Sequence, residues 1–244
     1  MKTSKTQQDK TRRACLRAAV DLMTQQGFEA TTMKQIARAA DMGDATIYKY
    51  FPTKEKLVLG YFEQAIADAL VQMGKTKGQE AFNLQERMQL LIDSILELLL
   101  GDREFVTVAA KLLARTPMLL LSDELPGKRA LKQMFEDLLT QAEASGEIPA
   151  CAYKPSVSGL LADYVLAVLS YWLRDESEQF GNTTQLVDLS LGVVVLTLRS
   201  GLIDKLLALG GFVLRSQLAR LLQGGSGLLE LAQLARRGLD GARA

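Results

Sequence analysis

Apolar residues recur along most of this chain at intervals of three and four positions, the spacing that gathers them on one face of an α-helix. No stretch shows sustained two-residue alternation, so the pattern predicts no β-sheet and an all-α fold. Besides two short helices discussed next, the predicted helices cover residues 11–26, 53–74, 84–100, 103–114, 123–144, 156–174, 184–207, 211–222 and 227–238.

The segment 31–51 predicts two short helices joined by a tight turn. Thr32 followed by Gln35 fits a capping box, in which the two side chains satisfy backbone amides at the start of a helix. A second helix is expected at 44–50, with Ile47 facing inward. Two crossing helices around a tight turn are the arrangement with which small helical domains place a helix in the major groove of DNA.

The outer face of the second short helix carries side chains that can donate hydrogen bonds to phosphates and base edges. These are Thr46, Tyr48, Lys49 and Tyr50. Alternatives stay open for some candidates: Lys49 can be an ordinary solvated side chain, Tyr50 can belong partly to the core, and Thr32 can be a helix cap alone. Tyr48 is the strongest candidate for a contact with DNA.

The order and spacing of residues across 11–60 resemble, without gaps, the pattern of the TetR family of bacterial transcriptional regulators. The matching positions are Gly27-Phe28, Thr31-Thr32, Ile36-Ala37, Ala40, Thr46-Ile47-Tyr48, Tyr50-Phe51, Lys54-Glu55 and Leu57. The chain departs from the pattern at Asp41, Gly43 and Asp44, around the start of the second short helix. These departures leave the target DNA sequence open.

The resemblance implies a role for each matching polar position. Thr32 would bind a phosphate, and Lys54 would hold the backbone that flanks the site. The remaining implied DNA contacts are Thr46, Tyr48 and Lys49 in or beside the groove, and Tyr50 on the flanking backbone.

The resemblance also implies the domain organisation. An amino-terminal three-helix DNA-binding head with a helix-turn-helix is expected at 11–56, and a larger helical effector-binding and dimerisation domain at 57–222. Residues 1–10 are expected to form a flexible basic tail, and residues 223–244 a flexible joint and a carboxy-terminal helix.

Charge is distributed unevenly along the 244 residues. The net charge is +1, yet residues 1–60 hold 11 Lys or Arg against 6 Asp or Glu, whereas the remainder holds 18 against 22. A basic head on an acidic body is expected if only the head meets a polyanion such as DNA.

Several other functions find little support in the composition. The chain has no histidine and only two cysteines, Cys15 and Cys151, so we expect no metal site, no histidine-dependent catalysis, no cofactor and no disulfide framework. The start is polar and lacks the apolar core of a signal peptide. The most apolar run, 186–198, contains Asp188 and is shorter than the ~20 residues that span a bilayer, so a buried helix and a cytoplasmic protein without membrane contact are expected.

In the body, the resemblance implies a homodimer in which 156–174 and 184–207 pair with their mates in a four-helix bundle. The predicted interface residues are Leu161, Val165, Val168, Leu189, Val193 and Leu196. The alternative is that these side chains are buried only within their own chain. The chain beyond about 207 is longer than the resemblance requires and can extend the interface.

A ligand pocket is predicted from large apolar and aromatic side chains in the body. The candidates are Phe105, Met118, Phe135, Tyr164 and Trp172. Each of them can instead be plain core. Lys111, Asp163 and Asp188 interrupt apolar stretches and can orient a polar group of a ligand or face solvent.

Taken together, these patterns predict a transcriptional regulator that is not an enzyme. It would be a repressor that binds a near-palindromic operator in double-stranded DNA, associates with the bacterial nucleoid when bound, and is released by a small, largely apolar effector. The alternative is a DNA-binding adaptor controlled by a protein partner. A helical enzyme is a more distant alternative, because the sequence offers no Asp-rich run for magnesium.

Overall fold

Ten α-helices make up the part of the chain that the structure, a computed structural model, describes: residues 5–114, 125 and 127–223. No strand occurs in these ranges, and the prediction of an all-α fold is confirmed. The helices are α1 (Lys5–Ala30), α2 (Met33–Ala39), α3 (Asp44–Tyr50), α4 (Lys54–Met73), α5 (Leu84–Leu100), α6 (Arg103–Leu113), α7 (Lys128–Ala144), α8 (Lys154–Trp172), α9 (Gly181–Arg199) and α10 (Leu202–Gln223).

Helices α1 to α3 form the head, and α4 to α10 form the body. Helix α1 begins at Lys5, so residues 5–10, predicted to lie in a flexible tail, are helical. Gly27 interrupts α1 near its end with a φ of 83°, a left-handed conformation that glycine adopts without steric cost. The helix end predicted at residue 27 is therefore a sharp bend, and residues 28–30 after the bend still belong to α1.

A glycine also corrects the prediction of a single helix over 184–207. Gly201 has a φ of +64°, and the chain ends α9 at Arg199 before it begins α10 at Leu202. A left-handed glycine directly after a helix is a common termination signal. Because the apolar spacing continues on both sides of this break, a prediction from periodicity alone treats the two helices as one.

The core of the body lies between α4, α5, α7 and α8, with α9 packed on α5 and α8. Its largest fully buried side chains include Phe105, Phe135 and Trp172. The start of α9 is fixed by Asp175, whose carboxylate accepts hydrogen bonds from the amide and hydroxyl groups of Ser177 and Thr183. These donors hold the pKa of the Asp175 carboxyl well below its usual value.

Helix α4 approaches the head closely at Gly60. A Cβ atom on Gly60 would lie 2.6 Å from Cε1 of Phe51. Phe51 is buried at the end of α3, so its ring has little room to move away. The close approach of α4 to the head therefore requires a residue without a side chain at position 60.

Replacing Gly60 with alanine should destabilise the protein even though alanine is the better helix former. Overpacking typically costs about 1–3 kcal/mol, whereas the gain in helix propensity is about 1 kcal/mol, so we expect a net loss of up to about 2 kcal/mol. Urea unfolding of the purified protein measures this difference.

Gly101→Ala is the matched control, because Gly101 has a helical φ of −63° and no atom would lie within 4 Å of its new Cβ. The control should leave the free energy of unfolding unchanged or raise it slightly. Equal effects of the two substitutions would contradict the packing argument.

Candidate nucleic-acid interface and ligand cavity

Helix α3 presents two neighbouring side chains outward while its other face holds it to the head. Ile47 is fully buried, whereas Tyr48 is 48% exposed and Lys49 is also exposed. Thr46 and Tyr50 are half-buried, and Tyr50 packs against the core. Of the four predicted contacts on this helix, Tyr48 and Lys49 are therefore the ones with the most surface free to meet DNA.

The turn before α3 is formed by the residues at which the sequence departs from the family pattern. Asp41 adopts a φ of 52°, and the amide of Met42 donates to the carbonyl of Ala37 at 3.0 Å. The Sδ atom of Met42 lies 3.3 Å from the Sγ atom of Cys15 on α1.

Gly43 precedes α3 without a side-chain cap, and Asp44 occupies its first turn. A carboxylate in the first turn suits the helix dipole, so Asp44 stabilises α3 locally.

Thr32 caps α2 in the predicted capping box. Its hydroxyl accepts from the amide of Gln35 at 3.2 Å, and Oε1 of Gln35 accepts from the amide of Thr32 at 2.8 Å. The Thr32 side chain remains exposed at the start of α2. The cap is thus observed, while a phosphate contact by the same hydroxyl stays a prediction.

Lys54 lies against the end of α1, which the sequence did not indicate. Its Nζ donates to the carbonyl of Phe28 at 2.7 Å and lies 4.3 Å from the centroid of the Phe28 ring. Unpaired carbonyls at a helix end attract cations. Lys54 therefore joins the start of α4 to the end of α1, and a role in fixing the head accompanies the predicted phosphate contact.

Two arginines of α1 that add to the basic charge of the head are paired with α4. Arg12 donates to Glu63 at 2.8 Å, and Arg13 makes two hydrogen bonds of 2.7 Å to the carboxylate of Asp68. The Arg13 guanidinium lowers the pKa of the Asp68 carboxyl. These cations are therefore engaged within the chain, and they hold α1 along α4.

A third arginine links α1 to the turn between α5 and α6. Arg17 donates to Asp102 at 2.8 Å, and the same carboxylate accepts from the hydroxyl of Tyr61 on α4 at 3.0 Å. Burial raises the pKa of the Tyr61 hydroxyl, so this group stays protonated and remains a donor. Asp102 is therefore shared by α1, α4 and α6.

The apolar residues predicted for the dimer interface fall into two groups. Leu161, Val165 and Val168 of α8 are buried within their own chain, so their assignment to an exposed interface is corrected. The three candidates on α9 are exposed: Leu189 by 61%, Val193 by 64% and Leu196 by 69%.

The exposed apolar surface of α9 continues onto α10, which packs mainly on α9. The α10 residues that the sequence analysis did not single out are Leu202, Leu206, Leu209, Phe212, Val213 and Leu214, all of them exposed. By length and composition alone, the segment Glu178–Arg199 is also long and apolar enough to cross a membrane, a test that core helices of soluble proteins pass as well.

A cavity of about 440 Å³ lies between α4, α5, α6, α7 and α8. This volume is within the usual range for small-molecule sites. Its apolar wall includes Phe62, Ile66, Ile95, Leu99, Val106, Leu131, Val165 and Leu169, and its polar members are Thr107, Lys111, Lys128, Ser170 and Arg174.

Of the residues predicted to line a pocket, the four that the structure describes do not line this cavity. Phe105, Phe135 and Trp172 are buried in the surrounding core, because large aromatic side chains fill space rather than leave it. Tyr164 points to α9, where its hydroxyl lies 2.6 Å from that of Ser190. Met118 lies outside the described residues.

Two of the charged residues noted within apolar stretches lie at or beside the cavity. Lys111 lines it, and Asp163 forms an ion pair of 2.6 Å with the buried Lys128. Asp188 instead accepts a hydrogen bond from Gln85 outside the cavity. A charge inside an apolar stretch was therefore a better signal for this site than a large aromatic side chain.

Two protein families match segments of the chain. Residues 16–61 match the family described as "Bacterial regulatory proteins, tetR family", and residues 87–213 match "Tetracyclin repressor-like, C-terminal domain". The chain belongs to the TetR family. It is a DNA-binding transcriptional regulator, as the head predicted, and its family is non-enzymatic and cytoplasmic.

Individual relatives agree with this placement. The fatty acid metabolism regulator protein of Bacillus subtilis strain 168 is 26% identical over 131 residues, which cover 54% of this chain and 67% of that protein. The transcriptional repressor KstR of Rhodococcus jostii strain RHA1 is 26% identical over 197 residues, 76% of this chain and 84% of its own length. The solved fatty acid degradation regulator FadR of Bacillus halodurans shares the fold, with a TM-score of 0.55 at 18% identity, and the match covers 78% of this chain and 96% of FadR.

Lys54→Met should lower the stability of the protein by about 1–2 kcal/mol, because it removes a charged hydrogen bond and a cation–π contact between α4 and α1. Thermal unfolding measures this loss. The slope of log affinity for DNA against log salt concentration should also fall by about 0.9, because the proposed phosphate contact is lost with the same ammonium group.

Lys49→Met is the matched comparison on the exposed face of α3. It should leave stability unchanged and reduce the salt slope by about 0.9, the value for one lost phosphate contact. If Lys54→Met reduced the slope by the same amount without loss of stability, Lys54 would be a phosphate contact and not a link between α4 and α1.

Proposed function

We propose that this TetR-family regulator is a homodimeric repressor that binds a near-palindromic operator and is released by a small, largely apolar effector. The single observation that carries the proposal is that α4 is held to the DNA-binding head on one side and lines the cavity on another. Gly60 and Asp68 of α4 contact α1 or the end of α3, whereas Phe62 and Ile66 line the cavity.

Contact with DNA would be made by α3. Tyr48 and Lys49 are its exposed donors, and a helix of this kind reads base edges in the major groove while nearby cations contact phosphates. Affinity would come largely from phosphate contacts and would fall steeply with salt. Thr32, Thr46, Tyr50 and Lys54 are proposed to assist at the edges of this contact.

Dimerisation would use the exposed apolar face of α9 together with α10. Leu189, Val193 and Leu196 are spaced by four and three residues, so they form one stripe along α9. A stripe of this kind in contact with water marks an interaction surface, and a second copy of the chain would cover it around a twofold axis. The same axis would place two α3 helices at successive major grooves.

Control by an effector would act through α4. A ligand that favours one arrangement of the cavity walls would favour one position of α4, and the ion pairs of Arg12 and Arg13 would transmit that position to α1. The ligand needs to bind the released state better by only about 1–3 kcal/mol. Two relatives are named as regulators of fatty acid metabolism and degradation, which supports an apolar effector.

The alternative of an adaptor controlled by a protein partner is less well supported. It predicts a body without a cavity, whereas this body encloses about 440 Å³. The exposed apolar surface on α9 and α10, which the alternative also predicts, is accounted for by the dimer.

The DNA-binding part of the proposal is tested by selecting bound sequences from a random pool with the purified protein and then measuring affinity for the selected operator. Tyr48→Ala should weaken operator binding by roughly tenfold or more, since contacts with base edges contribute about 1–3 kcal/mol. The oligomeric state should be unchanged.

Tyr153→Ala, which removes an exposed tyrosine from the body, is the control and should retain full affinity. Full operator affinity in Tyr48→Ala would show that the face of α3 that carries Tyr48 does not contact DNA.

The dimer is tested by Val193→Glu, which places a charge in the centre of the apolar stripe. Analytical ultracentrifugation should give a mass of twice 26.8 kDa for the parent protein and mostly 26.8 kDa for the variant. The reason is that burying an unpaired carboxylate in an interface is strongly unfavourable. Val71→Glu, at a similarly exposed valine of α4, should remain a dimer. A monomeric parent protein, or a dimeric Val193→Glu, would contradict the proposed interface.

A further inference from the structure

We propose that the cavity binds an aliphatic chain that carries a single anionic head group, with the head at Lys111 and Arg174 and the chain extending toward Leu125 and Ile66. This inference rests on the proposed function, because it names the chemical class of the effector. The proposal comes from how charge and apolar surface are distributed around the cavity.

Every charged side chain in the described wall of the cavity is a cation. These residues are Lys111 of α6, Lys128 of α7 and Arg174 just beyond α8, and no acidic residue lines the wall with them. A cationic ligand would be repelled by this wall, and a neutral apolar ligand would gain nothing from it. The wall therefore favours an anion.

The three cations are not equivalent. Lys128 is almost completely buried and already forms an ion pair of 2.6 Å with Asp163. Lys111 and Arg174 are exposed, so their charges lie at the entrance rather than in the interior. The charge available for a ligand is consequently concentrated at the end of the cavity formed by the carboxyl-terminal parts of α6 and α8.

Two hydroxyl groups accompany the cations at this end. Thr107 precedes Lys111 by four residues on α6, Ser170 of α8 precedes Arg174 by four residues in sequence, and all four line the cavity. Residues four apart lie on the same side of a helix, so Thr107 is next to Lys111, and its hydroxyl donates to the carbonyl of Arg103 at 3.0 Å. The Ser170 hydroxyl and the two cations supply donors that suit the oxygen atoms of a carboxylate or a phosphate.

The charge of Arg174 is not required to complete α8. The carbonyls of Trp172, Leu173 and Asp175 at the end of this helix accept hydrogen bonds of 3.0–3.1 Å from Nη2 of Arg103. Arg103 therefore supplies the cation that a helix end favours. Arg174 is left available for the cavity.

The remainder of the cavity suits an unbranched apolar chain. From Asp163, which pairs with Lys128, to Trp172 at the end of α8 is a span of nine residues, or about 14 Å of helix, and Arg174 lies just beyond it. The cavity wall between these points is Val165, Leu166 and Leu169, and helices α4 and α5 close the other side with apolar residues. A chain along this wall buries its methylene groups while its head stays near the entrance.

The test uses the full-length protein and calorimetric titration with decanoate, decan-1-ol and decyltrimethylammonium, which share one chain and differ in charge. Decanoate should bind at least tenfold more tightly than either of the others. In the series octanoate, decanoate and dodecanoate, each added methylene should tighten binding roughly fourfold. Decyl phosphate distinguishes the two possible head groups, carboxylate and phosphate. Whichever of decanoate and decyl phosphate binds more tightly identifies the head group that the entrance prefers.

Variants locate the head group. Lys111→Met and Arg174→Met should each weaken decanoate binding about tenfold and leave decan-1-ol binding unchanged. Both residues are exposed, so folding should be retained, and circular dichroism checks this. Lys77→Met, an exposed lysine between α4 and α5, is the control and should change neither affinity.

The proposal would be overturned if decan-1-ol or decyltrimethylammonium bound as tightly as decanoate, if no probe bound, or if Lys77→Met weakened decanoate as much as Lys111→Met. Operator binding measured on the same preparations separates this failure from that of the proposed function. A protein that binds its operator but none of the probes disproves the ligand class alone. A protein that binds decanoate as described without releasing DNA supports the ligand class and disproves control by that ligand.

Discussion

The packing of α4 against α1 and against the end of α3 is the contact on which the coupling of the body to the head depends. The ion pairs of Arg12 and Arg13 at this contact are partly exposed, and exposed pairs contribute only about 0–1 kcal/mol each. The close approach of Gly60 to the buried ring of Phe51 at the end of α3 leaves little room for misfit, which costs about 1–3 kcal/mol in a packed core. Packing therefore constrains this contact more tightly than the ion pairs do. A displacement of α4 would act directly on the head, which is also held by the packing of α1 on α6.

The elements that could be predicted from the sequence are those fixed by local signals. The capping box at Thr32 and Gln35 determines where α2 begins, and the apolar spacing over 84–100 gives the bounds of α5 as they are observed. The break at Gly201 was missed because the apolar spacing continues across it. The contact between Lys54 and the Phe28 carbonyl was missed because it joins residues 26 positions apart, and no local pattern records which helix end a lysine will meet.

Parts of the interface and of the cavity lining were predicted incorrectly for a different reason. Periodicity identifies an apolar face but does not say what covers it. Helices α8 and α9 both have apolar faces, yet Val165 is covered by its own chain and Val193 is exposed. A cavity is space that side chains leave unfilled, so Phe135 and Trp172 are buried in the core, while the wall of the cavity is mostly aliphatic, with Phe62 as its aromatic member. Only a charge placed among apolar neighbours, as at Lys111, pointed to the correct place.

The burial pattern of α9 decides between two explanations of its apolar character. One face, which includes Val187, Leu191 and Val195, is buried in the body, and the opposite face exposes Val193 and Leu196. A helix that crossed a bilayer would have to withdraw the first face from the core, at about 1.5–3 kcal/mol for each aliphatic side chain before lipid contacts offset the loss. In the proposed homodimer, a second copy of the chain would cover the exposed face and leave the buried one in place. The two apolar faces of α9 therefore fit the proposed homodimer better than a membrane span.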